Sequence, residues 1–236
     1  MNPLAKSLAA LLALTASLNL FAADPEVPAS PKDNTPPTGF EAVFNGKDLT
    51  NWKGLPKGPN DNPAKRAALS PEDRAKAQAV ADEDMRAHWR AEDGALVFDG
   101  KGRSLCMAKD YGDFEMMVDW KILPKGDSGI YLRGTPQVQI WDNPVGSGGL
   151  YNNQKNPSKP TKVADQPVGQ WNHFFIRMVG EKVDVYLNGV LVVDHVTLEN
   201  YWERDKPCYE TGPIELQHHG NTLYFKNIYV KELPKK

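Results

Sequence analysis

Along most of the chain apolar and polar residues alternate one by one, and a period of two is the signature of half-buried strands. From Gly94 onward the runs ALVFDG, SLCMA, DFEMMVDWKI, SGIYLRG, PQVQIWD, WNHFFIRMVG, KVDVYLNG, VLVVDHV, GPIELQHHG and TLYFKNIYVKEL each read as a strand. Asp93-Gly94, Asp99-Gly100 and Asn188-Gly189 separate them as tight turns, the last a type I′ hairpin signal. Crossover helices are missing between these runs, so the pattern predicts an all-β fold, a two-sheet antiparallel sandwich. An earlier alternating stretch, GFEAVFNG at 39–46, opens it. One helix interrupts the pattern. Ser70-Pro71-Glu72-Asp73 supplies an N-cap, a proline at the first helical position and an acidic first turn, and good helix formers continue to about Met85. Its thin apolar face (Ala77, Val80, Ala81, Met85) marks a short helical insertion, at about 54–90, lying on the sandwich surface.

The N-terminus departs from this pattern. Lys6 is the only charge before the apolar run Leu8–Leu14, and Leu18–Phe21 leads into Ala22 and Ala23, the layout of a secretory signal peptide. The run is too short to span a bilayer. The expected organisation is a signal peptide at 1–22, a Pro-rich leader at 23–38 and a β-sandwich domain at 39–236. The mature chain is expected to be exported, periplasmic or extracellular. Of 28 basic and 30 acidic side chains, loss of residues 1–22 removes only Lys6, leaving 27 against 30 and a formal charge of −3. With no basic excess or stripe, neither nucleic acid nor, after signal removal, a membrane is expected as partner. Cys106 and Cys208 are the only cysteines. In an oxidising compartment they either pair or stay as buried free thiols, and sequence leaves both open.

Alternation also assigns faces. In 113–122, Phe114, Met116, Val118, Trp120 and Ile122 point inward, whereas Glu115, Met117, Asp119 and Lys121 point outward. The same parity turns Tyr131, Arg133, Gln137, Gln139, Trp141, Glu215, Gln217 and His219 outward. If these four strands are neighbours, Glu115, Asp119 and those eight side chains share one sheet face. Planar amides and carboxylates bond vicinal hydroxyls, and aromatic rings cover sugar C–H faces, so a small saccharide or glycoside is the expected partner. Tyr151, in the Gly-rich segment 143–153, is either a rim residue over this face or part of an ordinary connection. A neutral imidazole is a natural proton acceptor, which singles out His219. Glu115 and Asp119 lie four residues apart on one strand, about 13 Å, too far for paired-carboxylate glycoside hydrolysis. No serine stands in a nucleophile-elbow context.

Eight landmarks in order and spacing resemble the 3-keto-disaccharide hydrolase domain family: GFEAVFNGKDLTNW (39–52), YGDFEMMVDWK (111–121), SGIYLRG (128–134), PQVQIWD (136–142), GGLYN (148–152), GQWN (169–172), LNG (187–189) and IELQHHGNTLYFKNIYVKEL (214–233). The resemblance implies a concanavalin A-like jelly roll and cleavage of glycosides oxidised at C3. A C3 ketone acidifies the C2–H, so one base and one group to hold the enolate oxygen suffice. It offers His219 or Asp119 as that base, and Arg133, Gln139 or a bound divalent cation as the electrophile; no metal ligand set is indicated by the sequence. Tyr131, Gln137, Gln139, Trp141, Tyr151, Glu215 and Gln217 would then bind substrate. The chain departs from the family pattern at Gln137, where many relatives carry an acid. A non-catalytic carbohydrate-binding module on the same face is the alternative, and an envelope protein with that face covered is a third.

Overall fold

The structure is a computed structural model that describes residues 33–235. The signal segment 1–22 and the leader up to residue 32 lie outside the described residues.

The chain enters through β1 (Glu41–Ala42) and β2 (Trp52–Gly54), then a helical segment with α1 (Pro63–Ala67) and α2 (Pro71–His88). The remainder runs β3 (Trp89–Glu92), β4 (Ala95–Phe98), β5 (Leu105–Tyr111), β6 (Phe114–Ile122), β7 (Asp127–Leu132) and β8 (Thr135–Trp141). It continues through β9 (Asn172–Val179), β10 (Lys182–Leu187), β11 (Val190–Thr197), β12 (Gly212–Leu216) and β13 (Leu223–Glu232). Two antiparallel sheets result. One has eight strands, in the order β11-β10-β9-β6-β13-β4-β3 with β1 beside β13; the other has five, β2-β5-β12-β7-β8. The expected antiparallel sandwich is the observed fold.

The inward side chains read from alternation fill the space between the sheets. Phe114, Met116, Val118 and Trp120 of β6 meet Ile130, Leu132, Val138, Ile140, Ile214 and Leu216 of the facing sheet, all essentially inaccessible to water. Burial of such apolar area is the main stabilising contribution. Asn188 and Gly189 both take positive φ (52° and 80°) between β10 and β11, as a type I′ turn requires. β1 falls within the alternating stretch 39–46, whereas β2 and β3 were not legible as strands; α1 precedes the helix expected from Ser70, with Asn62 capping it through Oδ1 and Pro63 starting it.

The helical insertion packs on the edge of the five-stranded sheet. Ser70 Oγ caps α2 by accepting from the Asp73 amide at 3.1 Å. Only Ala81 and Met85 of α2 are buried. A Cβ on Gly54 would stand 1.9 Å from the Ala81 carbonyl oxygen, so only glycine lets the helix approach β2 this closely. Gln78 Nε2 donates to Gly54 O at 3.0 Å, and the Gly54 amide donates to Asp82 Oδ1 at 2.9 Å. Residues 33–34 are fastened to the eight-stranded sheet: the Asn34 amide donates to Asn227 Oδ1 at 2.6 Å.

Cys106 and Cys208 are both buried free thiols. Burial pushes the Cys208 thiol up to about 12, which leaves it inert as a nucleophile.

Candidate functional site

The outer face of the five-stranded sheet divides into a covered half and an open half. Over β7, β8 and the end of β12 a hollow of about 220 Å³ opens, lined mainly by polar groups. Tyr131, Gln137, Gln139, Trp141, Tyr151, Gln217 and His219 all reach it. Three further residues complete the lining: Asp127, Asn152 and Tyr201.

Local structure explains the convergence. Asp127, Gly129 and Tyr131 alternate outward on β7 beside Gln137 and Gln139 on β8, with Gly129 paired to Gln139. A Cβ at residue 129 would come within 2.9 Å of Gln137 Cγ, so glycine there makes room for the amide. The amides then chain together. Gln137 Nε2 donates to Gln139 Oε1 at 2.6 Å, and Gln139 Nε2 donates to Asp127 Oδ1 at 2.8 Å and to Ser128 O at 3.1 Å. Gln217 Nε2 donates to the Tyr131 hydroxyl at 3.3 Å, leaving Gln217 Oε1 buried without a partner. Asn152 Oδ1 is in the same state. Buried acceptors without donors cost free energy, and a hydroxyl-bearing ligand would satisfy them.

Segment 143–153 turns back along β8 and forms one wall. Gly148 N donates to Gln139 O at 2.8 Å and Gln139 N to Gly149 O at 2.9 Å, while Val138 bridges Leu150. Trp141 Nε1 donates to Gly146 O at 2.7 Å. Tyr151 stands edge-on to Trp141, ring centroids 5.4 Å apart, and is 52% exposed at the rim. Two aromatic surfaces therefore flank a floor of amides. His219 lies at the mouth with its side chain 55% exposed, its Nδ1 4.0 Å from Asp127 Oδ2. Burial pushes the Tyr131 phenol upward, so it stays protonated as a donor.

Four sequence candidates stand elsewhere. Glu115 and Asp119 are on β6, which pairs with β9 and β13 in the eight-stranded sheet, so they point out from the opposite side of the sandwich. The chain changes sheets at the corner 123–126, where the Gly126 amide donates to Leu123 O at 2.8 Å. Parity along a strand says which face a residue takes but not which sheet it joins. Glu115 pairs with Lys231 (3.1 Å) and Arg177 (3.4 Å). Asp119 accepts from His173 Nδ1 at 2.6 Å and from Asn227 Nδ2 at 2.6 Å.

Arg133 takes positive φ (55°) with Gly134 (70°) in the turn between β7 and β8. Alternation ends there, and the side chain swings into the protein. It donates to Gly112 O, Gly180 O and Asp113 Oδ1, the last at 2.7 Å. Arg133 is a buried clamp between loops, not an electrophile in the hollow.

Glu215 sits on β12 opposite Tyr131 and Cys106, in the half covered by the insertion. It is 2% exposed, its Oε1 has no partner, and burial raises its carboxyl to about 7. His218 points away from the hollow, Nδ1 at 2.9 Å from Ser104 Oγ, and burial lowers it to about 4. No residue of the insertion lines the hollow, at whose floor Gln137 and Gln139 are themselves 4% and 3% exposed.

Among the described residues no cluster of three His, Cys, Asp or Glu side chains is placed to hold a metal ion. Of the residues missed, Asp127 was the most accessible: it shares parity with Tyr131 in the DSGIYL run. Asn152 and Tyr201 lie in segments without periodicity.

Known proteins resemble this chain in sequence and fold. A sequence profile described as the 3-keto-alpha-glucoside-1,2-lyase-like domain matches residues 39–231. A curated protein of Bacteroides thetaiotaomicron named 3-keto-disaccharide hydrolase is 24% identical, over 83% of this chain and 79% of its own length. Two crystal structures from Parabacteroides distasonis, each described as a candidate glycosyl hydrolase, superpose with TM-scores of 0.62 and 0.61. The first is 23% identical and covers 86% of this chain and 100% of its own; the second is 26% identical and covers 83% and 84%.

Proposed function

The chain belongs to the 3-keto-alpha-glucoside-1,2-lyase-like domain family, one of carbohydrate-active, glycosyl hydrolase-like proteins, and on that premise we propose that it cleaves glycosides oxidised at C3. One observation carries the reading: the amides of Gln137, Gln139 and Gln217, the rings of Tyr131, Trp141 and Tyr151, and the Asp127–His219 pair surround a single hollow.

His219 takes the C2 proton, made acidic by the ketone. The electron pair left behind resides on the C3 oxygen as an enolate, which the phenol of Tyr131 and the neighbouring amide N–H groups are suited to receive. Collapse of the enolate forms the C1–C2 double bond and breaks C1–O; the leaving group departs with the pair and takes up a proton. Addition of water across the new double bond makes the net reaction a hydrolysis. Asp127 stands beside the imidazole at the mouth, its Oδ2 4.0 Å from Nδ1.

Incubation with a 3-keto-disaccharide and its unoxidised parent tests this. Release of monosaccharide from the keto form alone, abolished in His219→Ala, supports it; cleavage of both forms alike, or of neither, counts against it. A second reading, a saccharide-binding module, is favoured by Gln137: a neutral amide bonded to Gln139 stands where the family resemblance implies an acid. Binding of the keto sugar without turnover would select it. The signal-like segment 1–22 supports an exported protein, checked by N-terminal sequencing of the mature chain; a terminus at Met1 would refute it.

A further inference from the structure

The hollow does not end at Trp141. That indole also lines a second depression of about 80 Å³, which holds Val163, Val168, Gln166, Gln170 and Trp120. Gln166 and Gln170 in turn line a third, of about 590 Å³, on the outer side of the eight-stranded sheet, with Trp171, Asp119 and His173. Three depressions thus stand in series from the five-stranded to the eight-stranded sheet, the first two sharing Trp141 as a wall and the last two sharing Gln166 and Gln170.

Each stretch of this path contains a buried polar atom without a partner: Gln217 Oε1 in the first, Trp120 Nε1 in the second and His173 Nε2 in the third. The third is oriented. His173 Nδ1 lies 2.6 Å from Asp119 Oδ1, so in the neutral ring the proton sits on Nδ1 and Nε2 presents a lone pair. A hydroxyl donor fits that lone pair, and a hydroxyl acceptor fits the Trp120 N–H. Between them Val163 and Val168, 62% and 42% exposed, offer apolar surface of the kind that sugar C–H faces cover. The path is built and fixed: Ser147 N donates to Asp165 Oδ2 at 3.0 Å, Gln166 N to Asn172 Oδ1 at 2.8 Å, and Gly169 N to Ile122 O at 3.0 Å.

We propose that the ligand is a linear saccharide longer than a disaccharide, which leaves the first hollow past Trp141, crosses the Val163–Val168 saddle and reaches His173. His173 is a binding residue on this path and takes no part in bond cleavage. The proposal rests on the reading of the first hollow as the saccharide site.

The test is calorimetric titration of the full-length protein with oligosaccharides from disaccharide to pentasaccharide, in the cello-, malto- and laminari- series, each with and without a ketone at C3 of the non-reducing end. Affinity is expected to rise with length by about tenfold in at least one series, the increment of one well-made buried hydrogen bond. Gln170→Ala and Val168→Glu, both at exposed positions, and His173→Ala remove that increment while disaccharide binding holds. Length-independent binding in every series, or an increment that survives all three substitutions, overturns the path and leaves the first hollow standing. Absence of binding to every saccharide overturns the first hollow, and the path with it.

Discussion

Each outer face of the sandwich carries an aspartate and a histidine, and the two sets differ in almost every respect. On the eight-stranded sheet Asp119 and His173 meet at 2.6 Å, with Asn227 bonded to the second carboxylate oxygen at 2.6 Å. On the five-stranded sheet Asp127 and His219 stand 4.0 Å apart and His219 is half exposed. Proximity alone would choose the first set. The surroundings choose the second: His219 opens onto aromatic walls and a chain of amides, whereas the His173 ring is held by Asp119 and its other nitrogen is buried without a partner. A locked dyad is suited to binding; a base must reach a substrate carbon and move a proton away.

The largest expected effect separates the two directly. His219→Ala should lower turnover of a 3-keto-disaccharide by about 10²- to 10⁴-fold with little change in melting temperature. His173→Ala should leave that turnover within about twofold, because His173 lies outside the reacting hollow; equal losses from both substitutions would erase the distinction.

Arg133 sharpens the contrast between structure and chemistry. Its guanidinium is buried with Asp113, and Arg133→Ala strands that carboxylate, costing about 3–5 kcal/mol in a denaturant melt. An Arg133→Ala protein of native stability that had lost only activity would contradict the assignment of a clamp.

The covered half of the five-stranded sheet makes a pH prediction. Glu215, raised to about 7 from 4.5, is protonated more readily folded than unfolded, so its contribution to stability falls as pH rises from about 4.5 to 7. His218, lowered to about 4 from 6.5, works the opposite way, and stability falls as pH drops from about 6.5 to 4. The two slopes oppose each other in the native protein. Glu215→Gln should therefore add up to roughly 3 kcal/mol at pH 8 and nothing near pH 4. His218→Gln should unmask the falling slope above pH 4.5. Melting curves from pH 4 to 8 check both, and a flat difference would refute the burial argument.

Tyr151→Ala has the smallest effect. Loss of one rim ring should raise KM about three- to tenfold with kcat nearly intact; an unchanged KM would remove Tyr151 from the site.

Much of this was legible in the chain, for a physical reason. Period-two alternation fixes which side of a strand each residue takes, so Tyr131, Gln137, Gln139, Trp141 and Gln217 could be grouped before any coordinates. Three failures mark its limits. Asp119 and Glu115 were grouped with them because the corner at 123–126 moves the chain between sheets without disturbing parity. Arg133 was misplaced because a left-handed turn residue abolishes parity at one position. Glu215 has the right parity, but the helical insertion, whose docking depends on Gly54 and Ala81, covers it. Tyr201 and Asn152 come from loops, where no period exists to read.

The most direct test of the amide–aromatic hollow is the structure of His219→Ala soaked with a 3-keto-disaccharide. The sugar is expected between Tyr151 and Gln217, its hydroxyls on Gln217 Oε1 and Asn152 Oδ1 and its C2 facing the space left by the imidazole. A sugar bound only beside His173, with the Gln137–Gln139 floor empty, would contradict the account.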